Sequence, residues 1–156
     1  MRKFAITTGG TLVLAVAAIG ITFVLGLRQK SNLVRRGVRW TSKVTRRFTI
    51  DSAGTPGAYA TLVQHVGRKS GRVYETPVRA TTSDNGFVIT LPYGTDSDWV
   101  KNVMAAGKAT LVYEGATYAV DQPEIVHGTD DAQLFSPKDQ RTQRLFGLDE
   151  YLHVHR

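Results

Sequence analysis

The segment from Gly67 to Arg72 has the composition of an anion-binding turn, with three cations, one hydroxyl and two glycines in the order Gly67-Arg68-Lys69-Ser70-Gly71-Arg72. Glycine lets backbone N–H groups approach an anion without interference from a Cβ atom. Arginine binds phosphate or carboxylate through a planar fork of donors, and lysine adds a point charge. The segment lacks the Gly-Lys-Ser/Thr ending of a P-loop. It indicates either a phosphate or carboxylate site or a solvated polar turn.

Strand-forming residues flank this turn and predict a hairpin. Tyr59 to Val66 precedes the turn and Val73 to Thr82 follows it, and both segments are rich in β-forming residues. Asp84-Asn85-Gly86 predicts a second tight turn, because Asn and Gly tolerate positive φ angles. A third strand, Phe87 to Leu91, follows it. The cationic turn is therefore expected to join two antiparallel strands.

A short helix is predicted after the third strand. Asp98 can cap its N-terminus, and Gly107 can end it. The apolar residues that we expect to face inward are Trp99, Val103 and Met104, with Ala106 nearby. This helix would interrupt the run of strands and cover part of the core.

Two further strands and a final helix complete the pattern. Ala109 to Tyr113 and Thr117 to Val126 flank a Glu-Gly turn. Ser136 and Pro137 supply an N-cap and a first helical residue, and Gly147 ends that helix. Short antiparallel strands interrupted by one helix predict a mainly β, α+β domain. A closed or split barrel is the expected architecture, because closure removes exposed sheet edges.

An apolar segment near the N-terminus, Phe4 to Leu27, contains no charged residue. At ~1.5 Å per helical residue it is long enough to cross a hydrocarbon core of ~30 Å. A cleaved signal peptide is the alternative, although its apolar region usually has only ~7–15 residues. Two cations precede the segment and eight follow it before residue 48. The positive-inside tendency therefore predicts a single-pass membrane protein with its globular domain in the cytoplasm.

The basic stretch after this segment has an apolar side. Leu33, Trp40, Val44 and Phe48 recur in it at roughly helical spacing. A helix lying in the membrane interface fits this pattern, and each cation near an anionic leaflet would add about 1 kcal/mol of binding. A helix packed on the barrel fits equally well.

Charge divides the chain into unequal parts, with +10 over residues 1–50 and −3 over residues 51–156. The predicted organisation is a transmembrane anchor over 1–28, a basic amphipathic juxtamembrane helix over 29–50, and a globular domain over 51–156 that opens with a linker at Asp51 to Gly57. A mildly acidic globular part makes nucleic acid a poor candidate ligand. The absence of cysteine excludes disulfides, thiolate catalysis and Cys-ligated metals.

Motifs downstream of the cationic turn extend the pattern with Thr76-Pro77, Tyr93-Gly94 and Ser97-Asp98-Trp99-Val100-Lys101-Asn102. In order and spacing they resemble the family of deazaflavin (coenzyme F-420)-dependent nitroreductases and quinone reductases. The signature of that family is a Gly-Arg-x-Ser-Gly turn, a downstream Pro and a Trp at the start of a short helix. The resemblance covers roughly Pro56 to Val126, and more loosely Arg144 to Asp149. It implies a split β-barrel that is FMN-binding-like.

The resemblance also implies a site for reduced coenzyme F-420, with FMN as the less favoured ligand. The residues that would hold the phosphate of its phospholactyl tail are Gly67, Arg68, Lys69, Ser70 and Gly71. Arg72 would lie near the glutamate carboxylates of the tail. The residues that would contact the deazaflavin ring or close its pocket are Thr76, Pro77, Tyr93, Gly94, Ser97, Asp98 and Trp99. Trp99 fits the core equally well, and Tyr151 is the one clear match to C-terminal tyrosines that shape the substrate pocket in some relatives.

Reduced deazaflavin passes hydride from a ring carbon, so the protein has to supply orientation and electrostatics. Tyr93 is the candidate catalytic residue, as a donor of a proton or hydrogen bond to the reduced acceptor. The expected acceptor is a nitro compound, a quinone such as menaquinone, or a similar apolar molecule taken from the membrane lipid. A non-catalytic membrane-tethered carrier of deazaflavin, flavin or haem is the alternative.

Two further expectations concern metals and assembly. If the C-terminal tail is a strand, His153 and His155 lie on one face of it, but no third ligand accompanies them, so no metal is expected. His65 and His127 are single residues and are expected to be structural. A homodimer is retained as a candidate assembly.

Overall fold

The structure, a computed structural model, describes residues 50–128 and 130–156. The predicted transmembrane anchor, residues 1–28, lies outside the described residues, as does the predicted juxtamembrane helix up to residue 49. Within the described ranges, no helix is both long and apolar enough to cross a membrane.

Seven antiparallel strands form a single sheet in the order β2-β1-β5-β6-β7-β4-β3. In residues 50–128 and 130–156, two α-helices and one 3-10 helix, Asp130–Leu134, accompany it, which confirms the mainly β, α+β prediction. The strands are β1 (Thr61–Val66), β2 (Val73–Val78), β3 (Ala80–Ser83), β4 (Gly86–Thr90), β5 (Lys108–Tyr113), β6 (Ala116–His127) and β7 (Glu150–His155). The helices are α1 (Asp98–Ala106) and α2 (Pro137–Phe146).

The two edges of the sheet are adjacent in sequence. Strands β2 and β3 are the edge strands, and Arg79 alone separates them. The carbonyl oxygen of Arg79 accepts hydrogen bonds from the backbone N of Thr90 at 3.0 Å and from its Oγ1 at 3.3 Å. The sheet therefore curls until its edges meet, which is consistent with the predicted split β-barrel. The prediction of one unbroken strand from Val73 to Thr82 was wrong, because the chain leaves β2 at this junction to begin β3.

Both predicted turns join neighbouring antiparallel strands. In the cationic turn, the N–H of Gly67 donates to the carbonyl of Arg72 at 2.8 Å, and Val66 pairs with Val73. The Asp-Asn turn connects β3 to β4, with Ser83 opposite Gly86. Local Gly and Asn signals were sufficient to locate these hairpins.

The main core lies between the inner face of the sheet and α1. Val100 and Val103 of this helix are buried against a cluster whose other fully buried members include Val63, Phe87, Ile89, Leu111 and Leu152. Trp99 is half-buried and packs against the same cluster. Met104 is 40% exposed, so the prediction that it faces inward was wrong. The buried face of α1 runs through positions 100 and 103, and Met104 turns away from it.

Helix α2 begins and ends as predicted. The Ser136 side chain accepts a hydrogen bond from the N–H of Asp139 at 3.3 Å, Pro137 opens the helix, and Gly147 follows it at φ 64°. Near this helix a second core cluster contains Val88, Phe135 and Tyr151. Strand β7, which the sequence pattern left undecided, lies between β6 and β4.

The segment predicted as a linker packs on the barrel. Ala53 and Gly54 are buried, and the carbonyl of Gly54 accepts from the N–H of Gly115 at 2.6 Å. The N–H of Gly57 donates to the carboxylate of Glu114 at 2.7 Å. These bonds attach residues 51–57 to the turn between β5 and β6.

Candidate functional site

The cationic turn is compact because both of its glycines are used. Gly71 has φ +66°, a left-handed conformation that glycine adopts without strain. A Cβ atom at Gly67 would lie 2.5 Å from Ser70 Oγ and 2.6 Å from Tyr74 Cε2. Ser70 Oγ and Tyr74 Oη are themselves 3.1 Å apart and share a hydrogen bond. The ring of Tyr74 therefore covers the start of the turn closely, and only glycine leaves room for it.

Arg68 attaches the turn to α1. Its Nη1 donates to Asn102 Oδ1 at 2.8 Å and to the carbonyl of Asp98 at 3.3 Å. Its Nη2 forms an ion pair with Asp98 Oδ1 at 3.0 Å. Its backbone N–H also donates to Asn102 Oδ1, at 3.1 Å. Much of the donor capacity of this guanidinium therefore goes to the protein itself.

Asp98 is the first residue of α1, and the N-cap is Ser97, which makes no side-chain cap hydrogen bond. The prediction that Asp98 is the cap was wrong by one position. A carboxylate in the first helical turn is favoured by the helix dipole. In this place it also holds Arg68 and thereby fixes the turn against the helix.

Lys69 and Arg72 differ from Arg68 in their ion pairing, although all three residues are exposed. Over residues 50–128 and 130–156, the ion pairs found involve other cations, namely Arg68, Arg79, Lys101 and His153. Lys69 and Arg72 are therefore the cations of the turn that an incoming anion can reach without breaking an existing pair.

Behind the turn lies a chain of buried polar side chains. Asn102 and His65 are only 6% and 5% exposed. Asn102 Nδ2 lies 3.2 Å from His65 Nδ1, and His65 Nε2 lies 3.1 Å from Thr76 Oγ1. Tyr74 stacks on the imidazole with a centroid distance of 5.9 Å. The structure thus connects Arg68 to Thr76 through two residues that were not among the predicted site residues.

Thr76 and Pro77 face opposite sides of the sheet, because successive strand residues alternate. Thr76 contacts His65 on the face where Val78 packs on the core. Pro77 lies opposite Leu62 in the register with β1. The ring contacts predicted for these two neighbours would therefore come from different faces of the edge strand.

The loop before α1 carries the remaining predicted residues. Gly94 is buried at φ 78°, and its carbonyl accepts from Ser97 Oγ at 3.1 Å. Tyr93 is half-buried, and burial raises the pKa of its phenol above the ordinary value of 10.0. Tyr93 is therefore a protonated hydrogen-bond donor at neutral pH. The ion pair between Arg68 and Asp98 joins the end of this loop to the cationic turn.

An open groove of ≈ 500 Å³ adjoins the turn. Val66 and Val73, which flank the turn, line it together with two cations, Lys108 and Arg156, and one acid, Asp121. Its other lining residues are Gln64, His65, Ala106, Ala109, Thr110, Ala119 and Val120. The groove therefore continues the excess of positive charge beyond the turn.

Two C-terminal residues that the sequence singled out are engaged inside the fold. Tyr151 is fully buried, donates to Gln143 Oε1 at 3.0 Å, and has a pKa raised by burial to about 12. It therefore presents no surface to a substrate. His153 Nε2 lies 3.0 Å from Asp131 Oδ2. Within the described ranges, no group of three metal-binding side chains is found.

Several solved structures are similar to part of this chain at low sequence identity. One, described as an F420-H2 dependent reductase (FDR-A), is 15% identical, with 63% of this chain and 94% of that chain covered and a TM-score of 0.47. The protein Atu2129 from Agrobacterium tumefaciens str. C58, of unknown function, is 14% identical over 63% of this chain and 48% of its own, with a TM-score of 0.44. A structure described as a domain-swapped dimer is 16% identical, with 75% of this chain and 95% of that chain covered and a TM-score of 0.44.

No curated protein is significantly similar to the chain. A family model does match it: the model of the F420H(2)-dependent quinone reductases matches residues 37–144, more than half of the sequence. The match includes the cationic turn, the loop and α1, which are the motifs that carried the resemblance, and so confirms it. The chain therefore belongs to the F420H(2)-dependent quinone reductase family and is an oxidoreductase whose cofactor is coenzyme F-420.

Proposed function

We propose that this protein transfers hydride from reduced coenzyme F-420 to a membrane-dissolved quinone, and that the turn from Gly67 to Arg72 binds the anionic tail of the cofactor. The observation that carries the proposal is that one of the three cations of the turn forms an ion pair within the protein and the other two do not. Arg68 is paired with Asp98. Lys69 and Arg72 are exposed on the turn that Arg68 holds in place.

The residues of the turn fit a polyanionic tail. Gly71 has no atom within 4 Å of its Cβ position, so the backbone there is open to a phosphate oxygen. Lys69 and Arg72 supply positive charge on either side of it. Lys108 and Arg156 in the adjoining groove extend this charge beyond the turn. Glutamate carboxylates farther along the tail would meet them by ordinary charge complementarity.

When bound, the deazaflavin supplies a two-electron hydride donor. The tasks left to the protein are to bind this ring, to orient it and to exclude water. Thr76, Trp99, Gly94 and Ser97 are the proposed neighbours of the ring, with Pro77 on the opposite face of β2. Tyr93 is the proposed hydrogen-bond donor to the acceptor, since its raised pKa keeps it protonated.

The acceptor that we propose is a lipid-soluble quinone such as menaquinone. The family name supports a quinone, and the apolar segment from Phe4 to Leu27 supports a membrane anchor. A domain held at the membrane meets a lipid-dissolved substrate at raised effective concentration. The cations that follow the segment support a cytoplasmic position, where the dissolved coenzyme is available.

Charge-removing variants test the tail site. Lys69→Ala/Arg72→Ala should weaken binding of oxidised F-420 at least roughly tenfold at low salt and flatten its salt dependence, because screening acts on the lost attraction. Its melting temperature should match that of the wild type. The matched control is Lys138→Ala/Arg141→Ala, which removes the same charge from exposed positions on α2. Equal affinity of the turn variant and the control, measured by fluorescence titration, would show that the tail binds elsewhere.

The variant Arg68→Ala distinguishes a residue that attaches the turn to α1 from residues that bind the cofactor tail. This variant should lower the melting temperature, since Asn102 and Asp98 lose their partner. The Lys69 and Arg72 variant should not. A wild-type melting temperature in Arg68→Ala would contradict the proposal that Arg68 attaches the turn to α1.

A further inference from the structure

The side-chain amide of Asn102 can take only one orientation. Its outer atom receives two N–H donors, the backbone N of Arg68 at 3.1 Å and Arg68 Nη1 at 2.8 Å. Only an oxygen can accept both bonds, because an amide nitrogen carries donors alone. The nitrogen of Asn102 must therefore point the other way, toward His65 at 3.2 Å.

This orientation fixes the proton on His65. Since Asn102 Nδ2 only donates, His65 Nδ1 must accept and cannot carry a hydrogen. A neutral imidazole has one donor and one acceptor nitrogen, so the hydrogen is on Nε2. His65 Nε2 then donates to Thr76 Oγ1 at 3.1 Å. The reverse arrangement would need Asn102 to be flipped, and Arg68 prevents that.

The consequence falls on the hydroxyl of Thr76. An oxygen that accepts from His65 must direct its own hydrogen elsewhere, because the imidazole Nε2 already carries one. Thr76 is half-buried on the edge strand β2, so this hydrogen can meet a ligand. A serine or threonine hydroxyl without such a partner would rotate to suit either a donor or an acceptor.

We propose that Arg68, Asn102 and His65 form a relay of positioning residues that makes the Thr76 hydroxyl a dedicated hydrogen-bond donor to an acceptor atom of the bound deazaflavin ring, a carbonyl oxygen or an unprotonated ring nitrogen. Only one part of this proposal depends on the proposed function, namely that the ligand beside Thr76 is the deazaflavin ring. The cationic turn and the ring site are thereby coupled, because the same arginine that holds the turn sets the direction of the hydroxyl.

The relay is tested without cofactor by nitrogen NMR of the histidine rings in the full-length protein, with His65→Gln used to assign the signal. Nδ1 of His65 should be unprotonated at neutral pH. In Asn102→Asp, the donor that faces Nδ1 becomes an acceptor, so Nδ1 should gain a proton. The control Asn85→Asp changes an exposed turn residue and should leave the signal unchanged. A protonated Nδ1 in the wild type, or an unchanged ring in Asn102→Asp, overturns the relay.

The donor role of Thr76 is tested by binding of oxidised F-420 and by the absorption spectrum of the bound form. Thr76→Val removes the hydroxyl at similar shape and should weaken binding about fivefold and shift the spectrum, the effect of one lost hydrogen bond. Thr76→Ser should keep both properties. His65→Gln, which keeps an N–H donor near Thr76, should retain more affinity than His65→Leu.

The outcomes separate the two proposals. If the wild type binds F-420 and Thr76→Val binds equally tightly with an unchanged spectrum, the donor role is wrong and the proposed function stands. If the wild type binds no F-420, the proposed function and donation to that ring both fail. The NMR result decides the relay in either case.

Discussion

Asp139 is a buried carboxylate with three partner residues. It accepts from Arg79 at 2.6 Å, from Ser136 at 2.6 Å and from Tyr59 at 3.1 Å, and its own backbone N–H is capped by Ser136. Burial alone would raise the pKa of Asp139, but the hydrogen bonds from Arg79 and Ser136 and the charge of Arg79 together lower it below 3.8. The ionised carboxylate therefore stabilises the fold, and it ties α2 to the junction between β2 and β3.

We expect Asp139→Asn to lower the free energy of unfolding at pH 7 by about 3 kcal/mol, because it leaves Arg79 without its partner. A pKa that folding lowers gives stability that is present above the unfolded value near 4 and lost as pH falls through the folded value. The difference between wild type and variant should therefore shrink between pH 4 and pH 2. Denaturant unfolding at a series of pH values measures it, with Asp84→Asn as a surface control. A constant difference across that range contradicts the assignment.

Tyr93 carries a second prediction. We expect Tyr93→Phe to lower kcat about a hundredfold with little change in F-420 affinity, if the phenol donates to the acceptor. Because burial raises the pKa of Tyr93 above 10.0, the phenol should keep its proton, and deprotonation of Tyr93 should cause no loss of activity up to about pH 10. Steady-state kinetics of F-420 oxidation with a soluble quinone analogue provides the measurement. Wild-type kcat in the variant would remove Tyr93 from the mechanism.

The sequence identified residues of the site by their chemistry, but it did not show which residues they contact. The sequence identified Arg68 as an anion-binding cation, yet its guanidinium binds Asp98 and Asn102, 30 and 34 residues away. The sequence predicts a structural role for His65, and its partner Asn102 is 37 residues distant. Such contacts depend on how β1 and α1 pack, which no local pattern encodes.

At the scale of elements, the turns were predictable and the junctions were not. The hairpin turns at 67–72 and 84–86 follow from Gly and Asn, whose conformational preferences are local. At the break between β2 and β3, Arg79 forms an ion pair with Asp139, 60 residues later, and no local pattern indicates this contact. Strand β7 was undecided because it pairs with β4 and β6, both far from it in sequence. The exposure of Met104 likewise depends on how α1 packs against the sheet, which its own sequence does not determine.

The β3–β4 hairpin has a steric requirement that we can test. A Cβ atom at Gly86 would collide with the backbone oxygen of Val154 and lie 2.9 Å from the Cα of His155. Backbone cannot move aside as a side-chain tip can, so Gly86→Ala should lower the free energy of unfolding by about 3 kcal/mol. Gly57→Ala, where no atom lies within 4 Å but φ is +73°, should cost only about 1 kcal/mol. Equal losses in denaturant unfolding would show that β4 and β7 are not so closely paired.

At the scale of the molecule, the proposed anchor and the proposed acceptor make one prediction. Full-length protein in liposomes that contain menaquinone should oxidise reduced F-420 faster than a domain lacking residues 1–49 added to the same liposomes, because the anchor raises the local concentration of acceptor. With a water-soluble quinone analogue, the two proteins should have similar rates. Equal rates with menaquinone would mean that the apolar segment does not serve substrate access. Binding without any turnover would favour the carrier.

The position of β7 also has a consequence for biosynthesis. Its pairing joins a four-stranded group, β2-β1-β5-β6, to the two-stranded β4-β3. During translation, His127 at the end of β6 emerges from the ribosome 28 residues before His155 at the end of β7. At ~5–20 residues per second, this leaves roughly 1–6 s in which β4 and β6 have unpaired edges. Such edges pair readily with other nascent chains. We therefore expect factors that hold extended apolar segments on the ribosome to raise the yield of folded protein, because they would cover these edges until β7 is made.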